Sequence, residues 1–408
     1  MNLARALTPF RRLASYTCAN MGAWSNNQSS IRNITPHRRP ILVLLIAIGL
    51  AWNACKPSVK RTGRHEAQVH HGNILPVFVR AVERAGREDV WIKSQGLSLS
   101  LEERPAARRF VDVVVTTRVL PAVLNAIRSE ARAARVQVRI HPLADISGKV
   151  VATIEIEDGK KLLCSIRLVE VPRILQAAII IDDLGQNLTA AHALAALRYP
   201  LTFSIMPRVP YAHETAEMAH RSGHEVMLHL PMQPQPSSHA SISPNEIRTG
   251  MSRAEVERTV EQDLGAVPFV AGVNNHMGSQ ATTNPALMES VMTVLASRHL
   301  FFIDSRTTAD TIALDVARRL GVPAFYRSVF LDDSQNVNYT LGQLRQLCNV
   351  VKKQGAAIAI GHPYPATLAA LARFLPEFDR EEIELVPASR LARSPEFARL
   401  SPPPRRRQ

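Results

Sequence analysis

The chain has 408 residues, a formal net charge of +14 and 46% hydrophobic residues, enough for two domains with a sizeable core. Its charge is confined to the ends: residues 1–70 carry +9, residues 390–408 carry +5, and the stretch between them is neutral. A nucleic-acid groove needs basic residues clustered on the folded surface, so this distribution excludes a nucleic-acid partner.

Residues 1–40 form a basic leader. It runs into HRRPILVLLIAIGLAWNAC, His37 to Cys55, with an unbroken apolar stretch from Ile41 to Trp52. That stretch is shorter than the ~20 residues that comfortably span a bilayer and matches the ~7–15 of an export-signal core. Two readings of residues 41–55 stay open: a cleaved signal, with Cys55 as a site for lipid attachment, or a retained membrane anchor. Both place the protein in a bacterial cell envelope, exported or membrane-anchored on the periplasmic side. Residues 56–73 are a polar, basic linker. Its adjacent His70 and His71 have no further ligand spacing to support a metal. The four cysteines contain no CxxC pair, and Cys164 and Cys348 read as small core residues.

Residues 74–170 read as a small α+β domain. Phe110–Thr116 is a strand, Leu120–Ala134 a helix with Val123, Ile127 and Ala131 at four-residue spacing, and Val136–Ile140 a second strand. Two more strands flank Asp158-Gly159, a hairpin signal. No cluster here carries chemistry, and a binding or spacer role is the default expectation.

Residues 174–390 alternate short apolar strands with helices. The strands are Ala178–Ile181, Leu201–Ile205, Glu225–Leu228, Phe269–Val273, Phe301–Ile303, Ala324–Tyr326 and Ala356–Ile360. The helices are Thr189–Leu197, His213–Ser222, Arg253–Val267, Pro285–Arg298, Thr308–Leu320 and Leu341–Gln354. This is βα repetition around a parallel sheet, and its strand number suits a barrel, with a doubly wound open sheet as the alternative. Residues 391–408 are expected to be a basic, disordered tail.

Five of these strands end on Asp, Asn or His. AAIIIDDLGQN ends on Asp182 and Asp183, EVMLHLPMQP on His229, and FVAGVNNHMGS on Asn274, Asn275 and His276. LFFIDSRTT ends on Asp304 and Ser305, and AAIAIGHPYP on His362. In β/α folds the C-terminal strand ends share one face, where active sites assemble. A lone His at a strand end is more often structural; five such ends argue for a site. A carboxylate and two imidazoles with an open position form a common hydrolytic metal site, and a second carboxylate can take the proton from water. His224 precedes its strand and is expected at the opposite rim, as a structural residue.

Together, IIIDDLG, SGHEVMLHLPMQP, GVNNHMGS, FFIDSRT and AIGHPYPATL resemble the divergent polysaccharide deacetylases, relatives of carbohydrate esterases with a deacetylase-like (β/α) barrel. The resemblance covers residues 174–390. It implies an irregular seven-stranded barrel, preceded here by the small α+β domain and the N-terminal hydrophobic segment. It also implies Asp182 as general base, Asp183 and His229 as metal ligands, and His362 as the acid that protonates a departing amine. The family's second ligand histidine falls at Gln233, a poorer ligand, so His276 is the candidate for the missing imidazole. Asn275, Asp304 and Ser305 are candidates for binding sugar, with an N-cap role equally open for Asp304 and Ser305. Tyr339, Tyr364 and the Met206-Pro207-Arg208 loop are expected to shape the sugar site. The implied reaction is removal of acetyl groups from an N-acetylated envelope polysaccharide with a divalent cation, zinc being the expected ion. Two alternatives remain: a glycan-binding envelope protein with weak or no catalysis, and a metal hydrolase for another substrate on the same barrel.

Overall fold

The computed structural model describes residues 74–93, 110–144, 150–236 and 245–402. The basic leader, the 41–55 segment, the whole 56–73 stretch and residues 403–408 of the tail lie outside the described residues, while residues 391–402 are described, with Leu391, Ala392 and Phe397 buried. Among the described residues, no helix is long and apolar enough to cross a membrane.

Two layers make up the first part. Its elements are α1 (Leu75–Gly86), β1 (Val90–Lys93), β2 (Phe110–Thr116), α2 (Leu120–Ala133), β3 (Gln137–Ala144), β4 (Val150–Asp158) and β5 (Lys161–Val171). The strands pair in the order β1-β2-β5-β4-β3, with only β2 and β5 parallel. Strand alternation sorts the side chains onto two faces. Val113, Val115, Ile154, Ile156 and Ile166 are buried on one face, and Phe78, Val82, Val123 and Ile127 of the two helices complete that core. The other face is mixed: Trp91, Val114, Val169 and Ile174 form a second buried cluster, and Asp112 receives both a 2.9 Å and a 2.6 Å hydrogen bond from Arg167 beside it. The expected strands, helix and hairpin occur here, while α1 and β1 have no counterpart in the sequence reading.

The second part is built from continuous apolar strands, the pattern of a parallel sheet covered on both faces. It runs β6 (Leu175–Leu184), α3 (Leu188–Ala195), β7 (Thr202–Ile205), α4 (Ala212–Arg221), β8 (Glu225–Met232), α5 (Arg253–Ala266), β9 (Val270–Met277) and α6 (Pro285–Ser297). It continues with β10 (Phe301–Asp304), α7 (Ala313–Arg319), β11 (Ala324–Phe330), α8 (Val337–Gln354), β12 (Ala356–Gly361), α9 (Pro365–Arg380), β13 (Ile383–Leu385) and α10 (Ala388–Arg393). Each strand from β6 to β12 pairs in parallel with the next, and β12 pairs back onto β6. The sheet is therefore a closed seven-stranded barrel rather than an open doubly wound one. Ala177–Ile181 are fully buried within it.

Helix starts follow local chemistry. Asn187, Ser252, Asn284 and Asn336 each accept a backbone N–H from the first turn, and Ser252 with Glu255 forms a capping box. The helix expected over Thr308–Leu320 begins only at Ala313. The preceding residues are diverted: Thr311 donates its hydroxyl to Asp304 and the Ile312 N–H goes to the Thr282 carbonyl. β13, absent from the sequence reading, adds to the lower half of β6, with Ile383 opposite Leu175.

Candidate metal centre

Two adjacent residues on a regular strand point to opposite faces. Asp182 and Asp183 escape this rule because β6 carries a bulge against β7: Ile181 pairs with Phe203 but Leu184 with Ile205. Asp183 also adopts a left-handed backbone, φ 57°. Both carboxylates consequently reach the same histidine, with His229 Nε2 3.6 Å from Asp182 Oδ2 and 3.2 Å from Asp183 Oδ1. Gly185 follows the pair at φ 103°, where a Cβ would come within 2.7 Å of the Val209 side chain. The turn after the carboxylates thus needs a glycine on two counts.

β8 supplies His229 and β9 supplies His276. His276 Nδ1 lies 3.0 Å from Asp183 Oδ1 and 3.1 Å from His229 Nε2. The three atoms form a nearly equilateral triangle. Ligands held tetrahedrally at ~2.0–2.1 Å from a small divalent cation stand ~3.3 Å apart, so this spacing fits a shared ion. Asp183, His229 and His276 are also a group whose ligand atoms all lie within 4.8 Å of one another. The carboxylate oxygen at the apex, Asp183 Oδ1, is buried and makes no hydrogen bond of its own. A buried anionic oxygen facing two imidazole nitrogens is what a cation would satisfy.

The electrostatics agree. Burial alone would lower the His229 pKa, but the Asp182 carboxylate, then Asp183 and Asn274, push it up to about 9. Burial alone would raise Asp183, yet its contacts with His229 and His276 hold it well below the usual carboxylate range. Without a cation, a proton on His229 balances the two carboxylates.

His362 stands across the mouth, at the end of β12. Its Nε2 is 3.8 Å from Asp183 Oδ2, and its Nδ1 is 3.0 Å from Asp332 Oδ1. Asp332 is buried and also accepts the His362 backbone N–H at 2.6 Å and the Thr367 hydroxyl at 2.7 Å. Burial would lower His362, but the Asp332 hydrogen bond and the Asp182 and Asp183 charges raise it. Asp332 escaped the sequence reading, which ended its strand at Tyr326. β11 in fact runs to Phe330 through an irregularity between Arg327 and Val329, so FLDD is another strand end on paired aspartates.

The remaining candidates divide. Ser305 lines the cleft, about 690 Å³, together with Asp182, Asp183, His276, His362 and Tyr364. The Asn275 amide is spent internally, donating to the Met277 carbonyl at 2.7 Å and accepting the Ser305 N–H at 2.9 Å. Asp304 accepts the Arg306 N–H at 2.8 Å and the Thr311 hydroxyl at 2.9 Å, the cap-like role left open above. Gln233 turns its amide oxygen onto Thr249, accepting the backbone N–H at 2.7 Å and the hydroxyl at 2.8 Å. Arg208 pairs with the buried Asp263 of α5 at 2.8 Å. His224 is buried and accepts the Leu201 N–H at 3.3 Å, a structural position as expected.

Comparison with known proteins places this site in context. The sequence profile of the divergent polysaccharide deacetylases matches residues 179–392. The uncharacterised protein YibQ of Escherichia coli (strain K12) is 38% identical over 226 residues, spanning 55% of this chain and 70% of that protein. An uncharacterised protein of Haemophilus influenzae is 39% identical over 217 residues, spanning 53% of this chain and 76% of its own. The crystal structure of an uncharacterised protein from Agrobacterium tumefaciens C58 shares the fold at 20% identity, with a TM-score of 0.51, 62% of this chain and 100% of that one covered.

Proposed function

Because the chain belongs to the divergent polysaccharide deacetylase family, we propose that it is a cation-dependent hydrolase removing acetyl groups from an N-acetylated polysaccharide of the cell envelope. The observation that carries this reading is the triangle of Asp183 Oδ1, His229 Nε2 and His276 Nδ1, with Asp182 on one side and the Asp332–His362 pair on the other. A divalent cation held by the triangle, zinc by the donor set, would acidify a water and polarise the acetamido carbonyl.

The chain's own groups then have distinct jobs. Asp182 lies beside the ligands and takes the proton as the water oxygen bonds to the carbonyl carbon. His362, held by Asp332 through Nδ1, keeps Nε2 toward the cleft. It gives a proton to the nitrogen as the C–N bond breaks, leaving acetate and a free amine. The raised pKa of His362 favours the protonated form this step needs. Ser305 and Tyr364 line the cleft where the sugar would sit. The hydrophobic N-terminal segment would hold the barrel on the envelope side, where such glycans lie.

Acetate release from N-acetylglucosamine oligomers, measured with Zn²⁺ and with chelator, tests the reading. We expect release with zinc and none with chelator. Bound zinc without acetate would overturn the glycan assignment in favour of another substrate. Glycan binding with neither zinc nor acetate would favour a binding protein, the reading to which Gln233 at the family's ligand position points.

A further inference from the structure

We propose that Asn274 fixes the tautomer of His229 and the orientation of Asp182 together, and so decides which atoms face the cation. The inference rests on the cation-dependent reading above. Asn274 sits on β9, fully buried, and its side chain joins three other strands of the barrel. Its Nδ2 donates to Asp182 Oδ1 on β6 at 2.8 Å. Its Oδ1 accepts the Ser204 hydroxyl of β7 at 2.6 Å and lies 2.8 Å from His229 Nδ1 on β8.

The amide has one workable orientation. The Asp182 oxygen accepts this bond, so it faces the NH₂ end. The carbonyl end then faces Ser204 and His229. A carbonyl offers no proton, so His229 Nδ1 must carry one. A neutral imidazole protonated at Nδ1 keeps its lone pair at Nε2. Nε2 is the atom that stands 3.2 Å from Asp183 Oδ1 and 3.1 Å from His276 Nδ1. Asp182 is sorted by the same amide: Oδ1 is held by Asn274, and Oδ2 is the oxygen turned toward His229 Nε2, at 3.6 Å. Asp182 pins the arrangement, because turning the amide over would set carbonyl against carboxylate, whereas the Ser204 hydroxyl can donate or accept and fits either orientation. Asn274 touches neither cation nor reacting atoms and is a positioning residue. It uses its donor for the base and its acceptor for the ligand.

Those two ends can be separated in the full-length protein. Asn274→Leu removes both, and Asn274→Asp keeps an acceptor for His229 but meets Asp182 with like charge. Zn²⁺ affinity is read by chelator competition, the His229 tautomer by imidazole ¹⁵N spectra of the zinc-loaded protein, and turnover by acetate release. Asn274→Leu should weaken zinc ~10–100-fold, the usual scale for losing a ligand's outer partner. Asn274→Asp should hold zinc within about threefold of wild type while acetate release falls at least ~10-fold, since the second carboxylate disturbs the base and not the ligand. A purely structural residue would lower the melting temperature without separating zinc from turnover. A folded Asn274→Leu with wild-type zinc affinity, or wild-type spectra showing zinc on His229 Nδ1, would overturn the proposal. The near-isosteric Asp variant and the wild-type spectra decide it even if the Leu variant does not fold. Zinc affinity and spectra need no substrate, so wild type that binds zinc without releasing acetate sinks the glycan reading alone.

Discussion

Replacing Glu384 by Gln should stabilise the protein at alkaline pH and leave its stability unchanged in acid. Glu384 lies on β13, buried against β6, where Gln176 Nε2 donates to it at 2.8 Å and Arg390 is 3.6 Å away. Burial outweighs both partners and pushes its pKa from 4.5 up to about 7. A raised acid favours the neutral form in the folded state, so it costs nothing below the unfolded pKa near 4.5. The cost grows as pH rises through this window and is complete above about 7. The gap corresponds to about 3 kcal/mol. Gln keeps the carbonyl that Gln176 needs and carries no charge to desolvate. Urea unfolding followed by circular dichroism, wild type against Glu384→Gln, should give no difference at pH 4.5 and about 3 kcal/mol in favour of the variant at pH 8. Comparing the two proteins cancels every other titrating group. A difference that stays constant across this range would show that Glu384 ionises as freely inside the fold as outside it.

Asp182→Asn should retain zinc and lose turnover ~10²–10⁴-fold, the usual contribution of a general base; full activity would remove Asp182 from that role. Asp332→Asn should leave zinc affinity unchanged and lower kcat, because His362 loses the carboxylate that holds Nδ1; stoichiometric zinc titration with steady-state acetate release checks both. Gly185→Val should destabilise the fold by ~2 kcal/mol or more, through its φ of 103° and the 2.7 Å approach to Val209, a loss visible in the melting temperature.

The barrel and the meeting of Asp183, His229 and His276 were legible because apolar runs ending on Asp or His mark strand ends, and a closed parallel barrel gathers those ends. What the sequence could not show is where each polar side chain spends its hydrogen bonds. Asn275 and Asp304 sit at strand ends as expected. Their partners, the Ser305 N–H and the Thr311 hydroxyl, come from the loop after β10, and no spacing along the chain reveals that pairing. Asp332 was hidden by an irregular β11, which obscures the alternation a strand reading depends on. β13 is only three residues long and gains its identity from pairing with β6, a contact across more than two hundred positions. The bulge that turns Asp182 and Asp183 the same way is likewise invisible in a run of isoleucines.

β6 is bonded along one side to β12 and along the other to β13 below and β7 above. No other barrel strand has three neighbours among the described residues. Its amides from Ala177 to Ile181 should therefore be the slowest in the molecule to trade hydrogen for deuterium, opening only when the whole barrel does. The acid pair rides on the upper end of that segment. Any opening of the cleft must then be accommodated by the loops around the mouth, while the carboxylates themselves hold still.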